Sequence, residues 1–591
     1  MNRLRTVSRR ELREAELFYA DLWGKPGPRP RGARRWPDIP EVWEDAGEQS
    51  IRSSGGARCS VWIPSSVSNS YTDWVAAPTE GRLELLINGR SSNGPGPDLD
   101  RTEPLDEMER AVKALGRGDL CYLSAWFFEP ATPLRTGAYS GQTTWGGFFS
   151  KKAQEGVAIR ILINDFDPFS GLDTWLRNNS LTPIEALVRA IPAASRANLK
   201  YMVTRHPANY AGLRARAIRA LHGGGSGPIF IGSHHQKFMV TRRSGETTAF
   251  CGGLDIESRK APSAWSYGGL IGWHDLTLKL EGPITRDLER QFVERWNREQ
   301  GAARNALLPG WSSWGTLSQP SALPPADATA AKRGQPVQLT RTISSDTALA
   351  AYTTDRSDIR QAYRAVIDCA SSFLYLENQY FRDVSLADDL AARASRAPDL
   401  RAIFVVLASA AGDDGANPLT SHGDYLQHEF FTRVTRAFGA RAAVYTMFNR
   451  SVHSKMLLAD DRAMSIGSAN ANVRSFELDS ELNLTVDQGE WVRAARLKLW
   501  SHNLGVAQAT VAAWTPRDFI GRWNTVATAN GALTGSPQGM AGEGVVVFDW
   551  RANAGASSPI VPDYLVRLDV APAPRRLYGP TAQPMPGTAY A

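Results

Sequence analysis

Two stretches of this sequence carry side chains able to cleave an anionic ester. His453-Ser454-Lys455 is followed by Asp460 and then by Gly467-Ser468-Ala469-Asn470. Upstream, His235-Gln236-Lys237 is followed by Gly252-Gly253-Leu254-Asp255. A His-x-Lys pair, then a small-residue turn ending in a short amide or carboxylate, occurs twice and points to a pseudo-symmetric site. Cleaving a phosphodiester needs a nucleophile, an acid and a cage for negative charge, and the two copies together supply all three. One imidazole attacks and becomes a phosphohistidine. The other protonates the leaving alcohol, then activates water or a second alcohol to release the product. Imidazole suits both roles because its ordinary pKa is ~6.5. The residues alone do not rank the two histidines.

An attacking imidazole needs an acceptor on its other nitrogen. Asp275 opens Leu-Thr-Leu-Lys-Leu and Glu481 opens Leu-Asn-Leu-Thr-Val, placed alike in the two copies. Lys237 and Lys455 lie two residues after each His, on the same face of an extended chain, where they hold non-bridging phosphate oxygens. Ser468 and Asn470, with Gly253 and Asp255 opposite, complete the cage. The scheme requires no metal and no other cofactor, and no Cys/His ligand cluster stands out. A lone His-x-Lys is ordinarily surface decoration. Two copies with matching turns and acidic strands are not. His234 faces the other side of its strand and reads as structural, and His274 as packed. Trp126 and Tyr380 follow strands and read as core aromatics, with a substrate wall as the other reading.

The elements that must position these groups repeat. Each half reads as helix, strand, helix, strand, His-x-Lys strand, small-residue turn, acidic strand and helix, a period far beyond that of a solenoid. Apolar runs such as Leu83–Ile87, Cys121–Phe128, Val157–Ile163, Phe373–Leu376 and Leu400–Ala408 alternate with amphipathic helices, which predicts a covered α/β sheet. The reading divides the chain into an N-terminal wrapping segment (1–80), a first lobe (81–300), a Pro/Ala/Ser-rich linker (301–335), a second lobe (336–510) and a C-terminal extension (511–591). Residues 1–30 hold a basic amphipathic helix, read as packed on the first lobe rather than lying on a membrane. Asp165, Asp167 and Asp173 superficially resemble a calcium loop, but Phe169 and Ser170 stand where such a loop needs an oxygen ligand and Gly.

Bulk properties bound the rest. Of 591 residues, 42% are hydrophobic and 21% charged, enough for substantial cores. A net charge of +7 is mild for this length. It does not mark a dedicated nucleic-acid binder and suits an anionic substrate. The four cysteines, Cys59, Cys121, Cys251 and Cys369, are read as buried free thiols. No stretch has the apolar core of a secretory signal or the ~20 apolar residues of a membrane span. The expectation is a protein of the cytoplasm or the membrane surface, or one exported without a cleaved signal.

These motifs resemble the phospholipase D superfamily, which is defined by paired H-x-K-x4-D motifs. The second copy matches at His453, Lys455, Asp460, Gly467, Ser468 and Asn470, and the first at His235, Lys237, Gly252, Gly253 and Asp255. Further likeness lies in Tyr-Leu-Glu-Asn-Gln-Tyr-Phe at 375–381, which adds Gln379 as a substrate contact, and in 272–283 and 499–505. The resemblance covers residues 105–510 and is nearest the eukaryotic-type branch and its bacterial relatives. It implies two duplicated α/β/α sandwich lobes with the site at their interface. It further implies His235 as nucleophile oriented by Asp275, His453 as acid oriented by Glu481, and a structural Asp460. One departure stands out: the first copy has Arg242 where the motif expects Asp, and three more residues before its first Gly. The missing acid is expected past the strand, in a turn of altered length, as a lost structural contact.

The implied activity is hydrolysis of glycerophospholipid to phosphatidic acid and a head-group alcohol at a membrane surface, with transfer to other alcohols open. The protein is expected to be a monomer. A phosphatidyltransferase of the cardiolipin-synthase kind, a nuclease and a non-catalytic lipid-binding relative are the alternatives. Absent membrane spans, the modest charge and the retention of both His-x-Lys pairs count against them in turn.

Overall fold

The computed structural model describes residues 59–66, 74–90, 100–165, 177–206, 233–257, 272–300, 317–318, 334–344, 354–408, 418–448, 450–535 and 539–551. The basic N-terminal segment, the Asp-rich loop beyond Asp165, nearly all of the Pro-rich linker and the tail after Arg551 lie outside the described residues.

The first half runs β1 (Thr79–Arg90), a short β2 (Asp100–Thr102), α1 (Glu103–Lys113), β3 (Leu120–Ala125), α2 (Trp145–Gln154), β4 (Ala158–Asp165), α3 (Thr182–Ala190), β5 (Leu199–Arg205), β6 (Phe238–Arg243), β7 (Glu246–Gly252), β8 (Trp273–Glu281) and α4 (Ile284–Gln300). The second runs β9 (Gln335–Ser344), β10 (Thr354–Ser357), α5 (Asp358–Cys369), β11 (Phe373–Asn378), α6 (Val384–Arg396), β12 (Arg401–Val406), α7 (Pro418–Phe438), β13 (Ala442–Met447), β14 (Ser451–Val452), β15 (Lys455–Ala459), β16 (Ala463–Gly467), β17 (Glu481–Asp487) and α8 (Gly489–Leu504). It is followed by α9 (Gln508–Ala512), α10 (Phe519–Gly531) and β18 (Val545–Val547). The chain is thus a mixed α/β protein, as its alternating runs predict. Elements that periodicity did not single out include β2, α3, β5, β9, β10, α6, α9 and α10.

Hydrogen-bonded neighbours follow the order β5-β4-β3-β6-β7-β8-β1 in the first half and β9-β17-β16-β15-β11-β12-β13-β18 in the second, joined where β1 pairs with β9. The two halves are mirror lists about the β1–β9 junction. In each, a parallel trio meets an antiparallel hairpin whose first strand follows the His-x-Lys.

The central strands are apolar on both faces because both are covered. In β11, Phe373 and Tyr375 point towards α8 and α10, where Phe373 meets Phe519 at 4.9 Å and Tyr375 meets Trp500 at 5.4 Å between ring centroids. Leu374 and Leu376 point the other way, into a second cluster with Phe404, Phe430 and Phe431. The period of two that alternates side chains across a strand thus feeds two separate cores. Residues after 505, which composition marked as wrapping, form α10 and β18, and β18 extends the second sheet beside β13. Asp383 caps α6 by accepting from Ser385 N and Leu386 N, and α8 ends at Gly505 with φ +64°, a left-handed position that glycine adopts without a Cβ penalty.

The cysteine reading needs correction. Cys59 and Cys369 form a disulfide across 310 positions of sequence, while Cys121 and Cys251 are buried free thiols. Only the folded chain brings an exposed N-terminal cysteine to the end of α5. The same N-terminal strap is held by Gln338, whose side chain exchanges hydrogen bonds with Ile63 N (3.1 Å) and O (2.9 Å). No described helix is long and apolar enough to cross a membrane.

Candidate active site

Each His-x-Lys segment is pinned by its main chain to the acidic strand of the opposite half. β14 runs parallel to the start of β8, and His453 N donates to His274 O at 2.8 Å. His234 bridges Ser480 in the same parallel sense, and His235 N donates to Ser480 O at 2.9 Å. The residue after each of these carbonyl positions carries the carboxylate, so the side-chain pairs cross between halves. His453 Nδ1 meets Asp275 Oδ2 at 2.7 Å, and His235 Nδ1 meets Glu481 Oε1 at 2.9 Å. The expected assignment of Asp275 to His235 and Glu481 to His453 is therefore reversed. The reason is topological: the His strand of one half pairs with the acidic strand of the other, and chain order is blind to that pairing.

The glycines of the two turns have a steric cause. A Cβ on Gly252 would stand 2.2 Å from Leu276 O, and one on Gly467 would stand 2.2 Å from Leu482 O. The turn must press against the acidic strand to bring its next residues to the site. At Gly253 a Cβ would lie 2.3 Å from Asp275 Oδ1, so this glycine makes room for the carboxylate. Its counterpart Ser468 instead donates its hydroxyl to Glu481, joined by Ser475 Oγ at 2.7 Å. Gly253 and Ser468 thus both serve the carboxylates, a use their place in the proposed cage did not foresee.

The lysines are buried. Lys237 Nζ donates to His235 O at 3.0 Å and stands 3.7 Å from Asp255, whose other oxygen accepts from Trp126 N at 2.9 Å. Lys455 Nζ donates to His453 O and lies 3.4 Å from Gln379 Oε1. Asn470 is buried, and its Oδ1 accepts no hydrogen bond among the described residues. Burial, then the ammonium groups of Lys237 and Lys455, hold the His235 pKa well below its ordinary value of 6.5. The repulsion from Lys455, which belongs to the other half, puts both lysines in one electrostatic neighbourhood with His235. Burial pushes Glu481 up to about 7 against the pull of both lysines. One cause drives both shifts: each charged form is disfavoured in the buried pair. His235 is therefore kept neutral, and a proton on Nδ1 donating to Glu481 would leave Nε2 as a free nucleophile.

Two tryptophans flank the histidines. Trp126 stands edge-on to His235 at 5.4 Å with Lys237 Nζ 5.5 Å from its ring, and Trp273 packs on His453 at 4.3 Å. Trp126 is half-buried and lies beside the site, as in the less favoured of its two readings. His234 and His274 are buried, His234 against Ser480 and His274 against Glu377. Ser475, on Glu481, and Asp479, whose Oδ1 accepts from Ser233 N at 2.7 Å just ahead of the first His-x-Lys, were missed: no spacing rule marks them, and they fall between the turn and the acidic strand. Asp460, with φ +53°, turns away from the histidines. Its carboxylate accepts from Ser371, Ser372 and Phe373 at the start of β11.

Elsewhere, His274, His502 and Glu543 offer three buried ligand atoms within 4.8 Å of one another. Arg450 lies on the same Glu543 carboxylate at 3.0 Å, a neighbour that competes with a metal ion for that charge.

The family model "Phospholipase D" matches residues 246–403, and "Cardiolipin synthase, PLD-like domain" matches 363–501. Phospholipase D1 of Cricetulus griseus is 29% identical over 275 residues, covering 38% of this chain and 25% of its own. Phospholipase D2 of Bos taurus is 24% identical over 483 residues, covering 62% of this chain and 47% of its own. The chain thus spans less than half the length of either relative. A solved phosphatidylserine synthase from Haemophilus influenzae aligns over 73% of this chain and 87% of its own, with 13% identity and a TM-score of 0.46. With paired His-x-Lys motifs and two matching family models, the chain belongs to the phospholipase D superfamily.

Proposed function

We propose that this protein is a phospholipase D-type phosphodiesterase that hydrolyses glycerophospholipids to phosphatidic acid and a head-group alcohol at a membrane surface. The observation that carries this reading is the crossed pair of buried His–carboxylate contacts with two lysines around them. In the first step His235 Nε2 bonds to phosphorus, the bond to the head-group oxygen breaks, and His453 gives that oxygen its proton. In the second, His453 takes a proton from water, whose oxygen displaces His235 and releases phosphatidic acid. An alcohol in place of water gives a transphosphatidylation product. Lys237 and Lys455, now donating to the main chain of their own histidines, turn to the phosphate oxygens, with Asn470 and Gln379 beside them. Asp255 holds Lys237, and Asp275 and Glu481 fix the imidazoles. The neutral state of His235 supports its role as nucleophile, a ranking the motifs alone leave open.

The test is product analysis with phosphatidylcholine, phosphatidylethanolamine and plasmid DNA, with and without ethanol. Phosphatidic acid, and phosphatidylethanol when ethanol is present, are expected. DNA cleavage without lipid turnover would overturn the reading. Because the His235 pKa is held low, its neutral form persists below pH 6.5. The acid limb of kcat/KM that belongs to it should lie below that pH, and a limb above it would remove His235 from the nucleophile's role.

A further inference from the structure

A buried charge network lies directly behind the second His-x-Lys, and the proposed chemistry makes no use of it. His274 Nε2 meets Glu377 Oε1 at 2.7 Å, and its Nδ1 lies 3.6 Å from Glu543 Oε1. Glu543 also meets His502 and, at 3.0 Å, Arg450. Glu377 accepts from Ser454 Oγ, from Tyr375 OH and, at 3.0 Å, from Asn503 Nδ2. His274, Glu377 and Glu543 are all buried. Burial alone would lower the His274 pKa, but its two carboxylates overcome that and push it up to about 10. The two buried carboxylates thus face His274 and Arg450, the pairing that buried charge requires.

The network touches the site through main chain and side chain together. His274 O accepts from His453 N at 2.8 Å and from Ser454 N at 3.2 Å. The next residue, Asp275, holds His453 Nδ1. Ser454, between His453 and Lys455, is thus gripped by His274 through its backbone and by Glu377 through its hydroxyl. In the first half Gln236, in the place of Ser454, is held by amides, donating to Glu481 O at 3.1 Å and accepting from Gln291 at 3.0 Å.

We propose that His274 and Glu543 are positioning residues for His453: Glu543, supplied from beyond α8, clamps the His274 side chain and so fixes the strand entry that sets His453 against Asp275. This rests on His453 being the general acid. Small displacements of a catalytic group are costly, with about 1 Å worth about 10²-fold in rate.

Glu543→Gln keeps the shape and removes the charge. The expected result is a folded protein whose kcat on short-chain phosphatidylcholine falls about 10²-fold while KM stays within about twofold, with shifted ring-nitrogen NMR signals of His453. Should that variant fail to fold, Arg450→Lys, which keeps the charge and loosens the contact, should move the same signals and lower kcat by a smaller factor. A folded Glu543→Gln with kcat and His453 signals like the wild type overturns the proposal. So does a stoichiometric metal that the wild type carries and the variant loses. If the wild type turns over no lipid, the function reading fails by itself, and the His453 signals still test the network.

Discussion

In the second His-x-Lys hairpin a carboxylate in the turn reaches back to the neighbouring strand; in the first, a carboxylate on that neighbouring strand reaches out to the turn. Asp460 sits at the β15–β16 turn and accepts from Ser372 N at 2.8 Å and Phe373 N at 2.7 Å. The ladder sets Arg242 opposite Leu120, while Asp460 N bonds to Phe373 O at 3.1 Å, so Arg242 and Asp460 hold the same place. Arg242 lies within β6 rather than past it, a correction to the expected turn position. The hairpin runs on to a two-residue Ser244-Gly245 turn, both residues with positive φ. Asp119, just before β3, accepts from Ser244 N at 3.0 Å and Gly116 N at 2.7 Å. The acid that one motif lacks is supplied from across the ladder. The fourth residue of the motif is thus a fastening between hairpin and strand, and either side of the ladder can provide it.

The sharpest way to break the symmetry is at the histidines. His235→Asn removes the proposed nucleophile and His453→Asn the proposed acid, and each should cost at least about 10³-fold in kcat. Only the second should still form a phosphoenzyme with a substrate whose leaving group needs no proton, seen by rapid quench with labelled lipid. A phosphoenzyme in the first variant instead would exchange the roles.

A smaller loss should follow from the crossed carboxylates. Asp275→Asn and Glu481→Gln each leave a histidine with the wrong tautomer, at a cost of about 10²-fold or more. Double-variant cycles give the crossing directly. Asp275→Asn should add little to His453→Asn and should add fully to the residual effect of Lys237→Ala. Strong coupling of Asp275 to His235 instead would return the pairing implied by motif order.

The cysteines separate the halves in another way. The second half is tied to the N-terminal strap by Cys59–Cys369, while the cysteines of the first are free. Closing a loop of 310 positions constrains the unfolded chain by up to about 5 kcal/mol. Cys59→Ser should lower Tm measurably, and a reductant should do the same to the wild type but not to the variant. Cys121→Ser should act only through core packing.

What the sequence carried and what it withheld follow from range. Strands such as β3 (Leu120–Ala125) and the small-residue turns are local patterns, and β-periodicity with glycine placement exposes them. The chemistry proposed for His235, Lys237, His453 and Lys455 rests on a spacing that occurs twice. The crossing of Asp275 and Glu481, the Cys59–Cys369 bond, the use of Asp119 for the absent motif acid and the approach of Glu543 to His274 are all long-range pairings. Each depends on which strands lie side by side, information that no spacing within a half contains.

The smallest effects test the fastening itself. Asp460→Ala strips the start of β11 of its acceptor and should destabilise the protein by about 1–3 kcal/mol, with Asp119→Ala costing about 1. Neither should change KM, since both carboxylates face away from the histidines. Arg242→Asp restores the motif on paper. It removes the 3.0 Å ion pair with Glu289, a contact of a partly exposed arginine worth about 1 kcal/mol or less. It also sets a new carboxylate near Asp119, whose oxygens already hold Ser244 and Gly116. The expected outcome is a change within about 1 kcal/mol in urea unfolding and unchanged kcat. Only in the Asp119→Ala background should Arg242→Asp recover stability, because only there is the place at the ladder open. A gain in the wild-type background would mean that Asp119 does not fill that place.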